Sequence, residues 1–274
     1  MRRLIATAAL SMCALAAVEA DEDAVDGTRQ PVVAPAPVHR FVPAYFDPGP
    51  RSLQRLLACP EGKAPRRPVS VRCKVAVSAD GNVDQGRSSG TLCAAPSGGR
   101  EAFRSVTMRA LSAARFTPAS IDGRAVPVYA SVLSLFVQKG AACHAVALLN
   151  GGIQDPAVGI DYVEPQVVRD SPDWSWQRRV AVPTRYILPQ LAHVARSPGT
   201  LFLRMSVAVA ADGTVSDGRV DEVYRLGHVD SLNAVRALEG SRFIPGFHRG
   251  RPAAMRYYEM LWVNTCATEI APWC

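Results

Sequence analysis

The chain has 274 residues, enough for one large domain or two small ones. Its 48% hydrophobic and 20% charged content exclude a disordered chain, a fibrous repeat and a multi-span membrane protein. The net charge of +7 is carried almost wholly by arginine, since Lys63, Lys74 and Lys139 are the only lysines among 31 basic residues. These bases are scattered, the densest groups being Arg66-Arg67 and Arg178-Arg179, whereas a nucleic-acid binder gathers its charge on one face or arm.

The first twenty residues read as an export signal: basic Arg2 and Arg3, an apolar run from Leu4 to Val18, then Val18-Glu19-Ala20 before Asp21. That run is shorter than the roughly 20 residues that span hydrocarbon, which favours a cleaved signal over an anchor. The expected location is periplasmic or secreted. Residues 21–50 follow as a Pro-rich, disordered segment.

Cys13 lies in the signal and leaves six cysteines, Cys59, Cys73, Cys93, Cys143, Cys266 and Cys274. An even count in an exported chain reads as three disulfides, with connectivity left open; Cys266 and Cys274 are near enough in sequence to close a small loop. No Cys-x-x-Cys pair suggests a metal, and neither metal nor cofactor is expected.

Internal repetition carries the most information. Val69 to Val83 aligns with Leu201 to Val215 at an offset of 132, and Arg109 to Pro118 aligns with Arg236 to Pro245 at an offset of 127. The first repeat therefore holds five extra residues around Cys93. In each repeat apolar and polar residues alternate (Val69, Val71, Cys73, Val75, Val77; Leu201, Leu203, Met205, Val207, Val209), as in a strand with one buried face. Asp80-Gly81 and Asp212-Gly213 then supply hairpin turns. Phe103, Val106, Met108, Ala110 and Leu111, and Leu232, Val235, Ala237 and Leu238, mark short amphipathic helices. Pro118 and Pro245 end the helical stretch, Gly123 and Gly250 turn the chain, and second strands run over Val126 to Val137 and Ala254 to Val263. Short leading helices are expected at Ser52 to Ala58 and Pro189 to Ala195.

The fold class predicted is α+β: two tandem small units, each an antiparallel three-stranded sheet packed on one or two helices. The units span 51–138 and 185–265. A partly structured linker (139–184) joins them, and a Cys-bearing tail (266–274) follows. In the linker, Trp174 and Trp176 beside Arg178-Arg179 offer a contact surface or pack on a repeat.

The ordered set of Asp-Gly-x-Val, Arg115-Phe-Thr-Pro-Ala119, Ile121-Asp-Gly-Arg-Ala-Val126 and a closing strand with Phe136 resembles the TonB C-terminal domain family. The second repeat keeps Arg242-Phe243, Pro245 and Gly250-Arg251. The resemblance implies a non-enzymatic periplasmic module that pairs an edge strand with a protein partner in the envelope, such as an outer-membrane transporter. It nominates Val128, Ala130 and Val132, and Met255, Tyr257 and Glu259, as partner-binding edge strands. The chain departs from the full energy transducer: its Pro-rich stretch reaches only about 60 Å as polyproline II. The competing classes are an assembly protein with the repeats packed on each other, and an exported hydrolase. No nucleophile elbow, His-Glu-x-x-His or phosphate loop supports the hydrolase, and His39, His144, His193, His228 and His248 lie at no ligand spacing.

Overall fold

In the computed structural model of this chain the described residues are 39–61, 65–84, 91–94, 101–152, 159–169, 200–224 and 228–264. The fold is α+β with mostly antiparallel sheets. No described helix is long and apolar enough to cross a membrane.

The first half runs β1 (Phe41–Val42), β2 (Tyr45–Phe46), α1 (Leu53–Leu56), β3 (Val69–Val77), β4 (Leu92–Cys93), α2 (Glu101–Ala113), β5 (Phe116–Thr117), β6 (Ala119–Ile121), β7 (Arg124–Val126) and β8 (Val128–Lys139). Strand β8 returns antiparallel to β3, from Val77↔Val128 to Val69↔Phe136. The alternation in β3 does what it predicts: Val69, Val71, Cys73, Val75 and Val77 are buried on the face that meets Phe103, Ala110 and Leu111 of α2. Phe103 and Phe136 close that core edge to face at 4.9 Å.

Both Asp-Gly turns form, but only the glycine takes the left-handed conformation. Gly81 has φ +82 and Gly213 φ +81. Each glycine donates three residues back, Gly81 to Ser78 O and Gly213 to Ala210 O, both at 3.0 Å. Gly81 is required twice over, because a Cβ there would lie 2.0 Å from the carbonyl oxygen of Phe116. At the β6–β7 turn, by contrast, Asp122 (φ +53) and Gly123 (φ +79) are both left-handed, the two-residue turn that matches strand twist.

The expected disorder of residues 21–50 does not extend to 39–50. Phe41 and Val42 pair with Ile121 and Ser120, and Tyr45 and Phe46 pair with Thr117 and Phe116. Aromatic residues between the prolines supply side chains to bury: Phe46 stacks on Phe116 at 5.7 Å.

Beyond Lys139, Gly140 (φ +62) turns the chain into β9 (Ala142–Leu148), which pairs with β8 from Lys139↔Ala142 to Leu133↔Leu148. The stretch expected as a linker is thus partly integral sheet. Then come β10 (Tyr162–Val163) and β11 (Gln166–Val168), followed by β12 (Thr200–Val209), β13 (Val215–Tyr224), α3 (His228–Glu239), β14 (Phe243–Ile244), β15 (Gly246–His248), β16 (Arg251–Ala253) and β17 (Met255–Asn264). Strands β12 and β13 make the second hairpin, and β17 returns along β12 in register from Val209↔Met255 to Thr200↔Asn264, giving the order β13-β12-β17. Leu203, Met205, Val207 and Val209 pack on Ala234, Val235 and Leu238 of α3.

β10 and β11 are the counterparts of β1 and β2. Tyr162 and Val163 pair with His248 and Phe247, and Gln166 and Val167 with Ile244 and Phe243, so 41, 42, 45 and 46 map onto 162, 163, 166 and 167 at a constant offset of 121. Each repeat therefore starts earlier than its strong motifs.

Two of the expected disulfides are formed, Cys59–Cys143 and Cys73–Cys93. Cys266, Cys274, Trp174, Trp176, the signal, the helix expected at 189–195 and its neighbours to 199 lie outside the described residues.

Candidate binding edge

Whether a strand can accept a partner depends on where its backbone groups point, and successive residues of a strand point their N–H and C=O to opposite sides. In β3, Ser78 N donates to Asn82 O and Asp84 N to Ala76 O, both at 2.9 Å, so the even-numbered residues face the hairpin arm. The odd ones, Val75 and Val77 among them, face β8. Their partners Ala130 and Val128 are then bonded to β3, and it is Pro127, Tyr129, Ser131 and Leu133 that point outward. Arg169 N donates to Pro127 O at 2.8 Å, in agreement.

The same parity holds in the second repeat. Ala210 N donates to Thr214 O at 2.8 Å, so even residues of β12 face β13 and odd ones face β17. Met255, Tyr257 and Glu259 pair with Val209, Val207 and Met205 and spend their backbone groups on β12. The outward row of β17 is Arg256, Tyr258 and Met260.

Two corrections follow. The six nominated residues are off by one: Val128, Ala130, Val132, Met255, Tyr257 and Glu259 all turn their backbone toward the hairpin strand. In β8, moreover, the outward row is covered. Val167 and Val168 of β11 pair with Tyr129 and Val128, β9 takes Leu133 onward, and the Glu164 carboxylate fills the gap between, accepting from Gly151 N at 2.6 Å and from the Ser131 hydroxyl. Val128, Ala130 and Val132 are fully buried.

β17 differs. Among the described residues its only strand partner is β12. Two other long strands have blunted edges. The outer edge of β9 is plugged by Gln54, whose side-chain amide donates to Ala147 O and accepts from Ala147 N. β13 is interrupted by register shifts, carries Asp217 at φ +52, and presents Asp217, Arg219, Asp221 and Glu222; bulges and charges are how sheets protect an edge.

The side chains of Tyr257 and Glu259 point into a buried polar cluster that joins β17 to β3 and β8. Lys74 Nζ contacts Glu259 Oε2, Tyr257 Oη donates to the same oxygen at 2.7 Å, and the ammonium lies 5.1 Å from the Tyr129 ring centroid and 5.7 Å from that of Tyr257. Burial lowers the Lys74 pKa against the pull of Glu259, and burial, reinforced by Glu259, raises the Tyr257 phenol well above its ordinary value. Burial also raises Glu164, with Gly151, Ser131 and Arg72 opposing it. Arg169 adds a second link, 3.2 Å from Asp84 and over the Tyr129 ring at 5.2 Å. Gln166 adds a third: its side chain accepts from Ala44 N at 2.8 Å and donates to Ala44 O at 3.0 Å, deep in the interior. Sequence reasoning places Lys74 on the polar side of β3 and missed this cluster; the one lysine set among the alternating residues of a strand in an arginine-rich chain was its only signal.

Among the described residues no group of three or more His, Cys, Asp or Glu side chains is placed to hold a metal ion. His39 lies 2.7 Å from Asp122, but both side chains are about half exposed, at 48% and 53%; the Arg40 N–H, ahead of His39 itself, lowers the Asp122 carboxyl. The pair ties β1 to the β6–β7 turn. Comparison with protein-family models, with curated proteins and with solved structures finds no match.

Proposed function

We propose that this chain is an exported, non-enzymatic interaction protein of the cell envelope, built from two tandem TonB C-terminal-like repeats, which binds a protein partner by strand addition at β17. The observation that carries the reading is the unequal treatment of two equivalent strands: the outward row of β8 is occupied, whereas that of β17 has no strand partner among the described residues. An incoming extended segment would satisfy the N–H and C=O groups of Arg256, Tyr258 and Met260. An outer-membrane transporter is the partner class that the family resemblance suggests. Two disulfides accord with an oxidising compartment.

The alternative role as an assembly protein is favoured, for the first repeat, by the buried links through Lys74, Gln166 and Arg169. On this division of labour the first repeat is the platform and the second the binder.

The test is a pair of proline variants in affinity capture from envelope extract. Tyr258→Pro removes an outward N–H that has no strand partner among the described residues, and an edge strand tolerates it. It is expected to fold and to lose the partner that wild type retains, and the lost protein should, when added to wild type, slow amide exchange at Arg256 and Tyr258. Equal capture by wild type and a folded Tyr258→Pro would contradict the proposal.

A further inference from the structure

In the second repeat β13 covers β12 along its length, from Val209↔Val215 to Phe202↔Tyr224. In the first repeat the described part of the corresponding arm is much shorter. The first repeat has five more residues between Val83 and Arg109, and the described residues of its arm cover β3 by a bridge from Val77 to Val83 and by two-residue β4, where Cys93 pairs with Cys73 and Leu92 with Lys74. A few bonds supplement this: Ala94 N to Arg72 O at 2.8 Å, and Ala76 N to the Thr91 hydroxyl at 3.1 Å, which itself donates to Asp84 O at 2.8 Å. A two-residue strand has little stability of its own. The Cys73–Cys93 disulfide joins directly paired residues and so clamps this short contact.

We propose that Cys73–Cys93 is a redox-sensitive closure of the β3 edge: intact, it holds β4 on β3; cleaved, it lets β4 leave and opens the even-numbered backbone row Arg72, Lys74 and Ala76. The co-reactant is a dithiol. Cys73 is buried at 4% exposure while Cys93 is partly exposed, so the attacking thiolate reaches the Cys93 sulfur, and the Cys73 sulfur leaves as a thiolate and takes up a proton. The second thiol of the reagent then attacks its partner sulfur in the mixed disulfide, giving oxidised dithiol and free Cys93. Two electrons pass from reagent to protein. The other bond, Cys59–Cys143, ties the segment after α1 to β9, an edge already plugged by Gln54, and its loss does not open β3. This inference is independent of the β17 reading, since it concerns the opposite edge of the other sheet.

Residue-resolved amide hydrogen exchange on the full chain tests it, comparing the oxidised protein with Cys93→Ser, in which Cys59–Cys143 remains. Exchange at Lys74 and Ala76 should rise at least tenfold, while Val71, Cys73 and Val75, bonded to β8, and the amides of β12 stay slow. Graded dithiothreitol on the wild type, with differential alkylation, repeats the test without a substitution: exchange at Lys74 and Ala76 should track alkylation of Cys93. Exchange that stays at the oxidised level once Cys93 is free, or that follows Cys59 and Cys143 instead, would overturn the proposal.

Discussion

Strands β8 and β17 occupy the same place in the two repeats, share the same backbone parity and pair in the same way with the first arm of their hairpins, yet among the described residues one is an interior strand and the other a border. The sheet neighbours make the difference. β8 is followed at once by a hairpin partner, β9, and receives β11 from the leading segment of the second repeat, so with β3 both its edges are occupied. β17 has β12 on one side, and its inward side chains Tyr257 and Glu259 are anchored to the first repeat through Lys74. A repeated motif therefore fixes a ladder; the residues between motifs decide which edges remain.

The largest effect that would break this comparison is Tyr257→Pro. It removes a β12 ladder donor and the ring that packs on Phe243 at 5.1 Å, and proline alone costs about 3 kcal/mol or more where a backbone bond is lost. Tyr258→Pro, one residue along, is expected to cost under about 1 kcal/mol, because its N–H points away from the sheet. Urea midpoints of the two variants measure the contrast, and equal losses would refute the parity assignment.

Next is the joint between the repeats. Lys74→Met leaves the Glu259 carboxylate buried without its cation and is expected to destabilise by about 3 kcal/mol. Lys74→Met combined with Glu259→Leu should recover most of that loss, because a buried pair replaced by apolar groups is often neutral. Additive losses in the double variant would show that the two side chains are not coupled.

A smaller contrast concerns the turns. Gly123→Ala meets no atom within 4 Å and should cost about 1 kcal/mol for its left-handed backbone alone. Gly81→Ala carries the same backbone penalty and also drives a Cβ into the Phe116 carbonyl, so roughly double that loss is expected in thermal melts.

The smallest effect is the pH dependence of Glu164. Its pKa is raised by burial, so the folded protein holds that proton more tightly than the unfolded chain does. The stability it contributes is complete below the ordinary glutamate range and is lost as pH rises through the raised value. Wild type should therefore gain on Glu164→Gln as pH falls from 7 toward the ordinary glutamate range, which paired melts at the two ends would detect.

Much of the ladder was legible in the sequence. The alternation of Val69 to Val77, the turn glycines and the Arg-Phe-x-Pro elements each act through local sterics and burial, which a short window contains. The leading segments were not, because Phe41-Val-Pro-Ala-Tyr-Phe46 and Tyr162-Val-Glu-Pro-Gln-Val167 share little beyond an aromatic residue before Val; what relates them is their pairing with β5, β6, β14 and β15. Edge direction was not legible either. Side-chain alternation shows which residues enter the core, but backbone groups point within the sheet plane, and a single hydrogen bond such as Ala210 N to Thr214 O is needed to set their parity. Lys74 reads as solvated because the face it occupies is polar; it is largely covered by Tyr257 and Glu259, which lie more than 180 residues away in the chain.

The most direct test of the central claim is residue-resolved amide exchange along β8 and β17 in the unliganded, oxidised protein. The account expects Tyr129, Tyr257 and Glu259 to exchange slowly and Arg256 and Tyr258 to exchange quickly. Protection at Arg256 and Tyr258 equal to that at Tyr257 and Glu259 would mean that the β17 edge is already covered, and would contradict it.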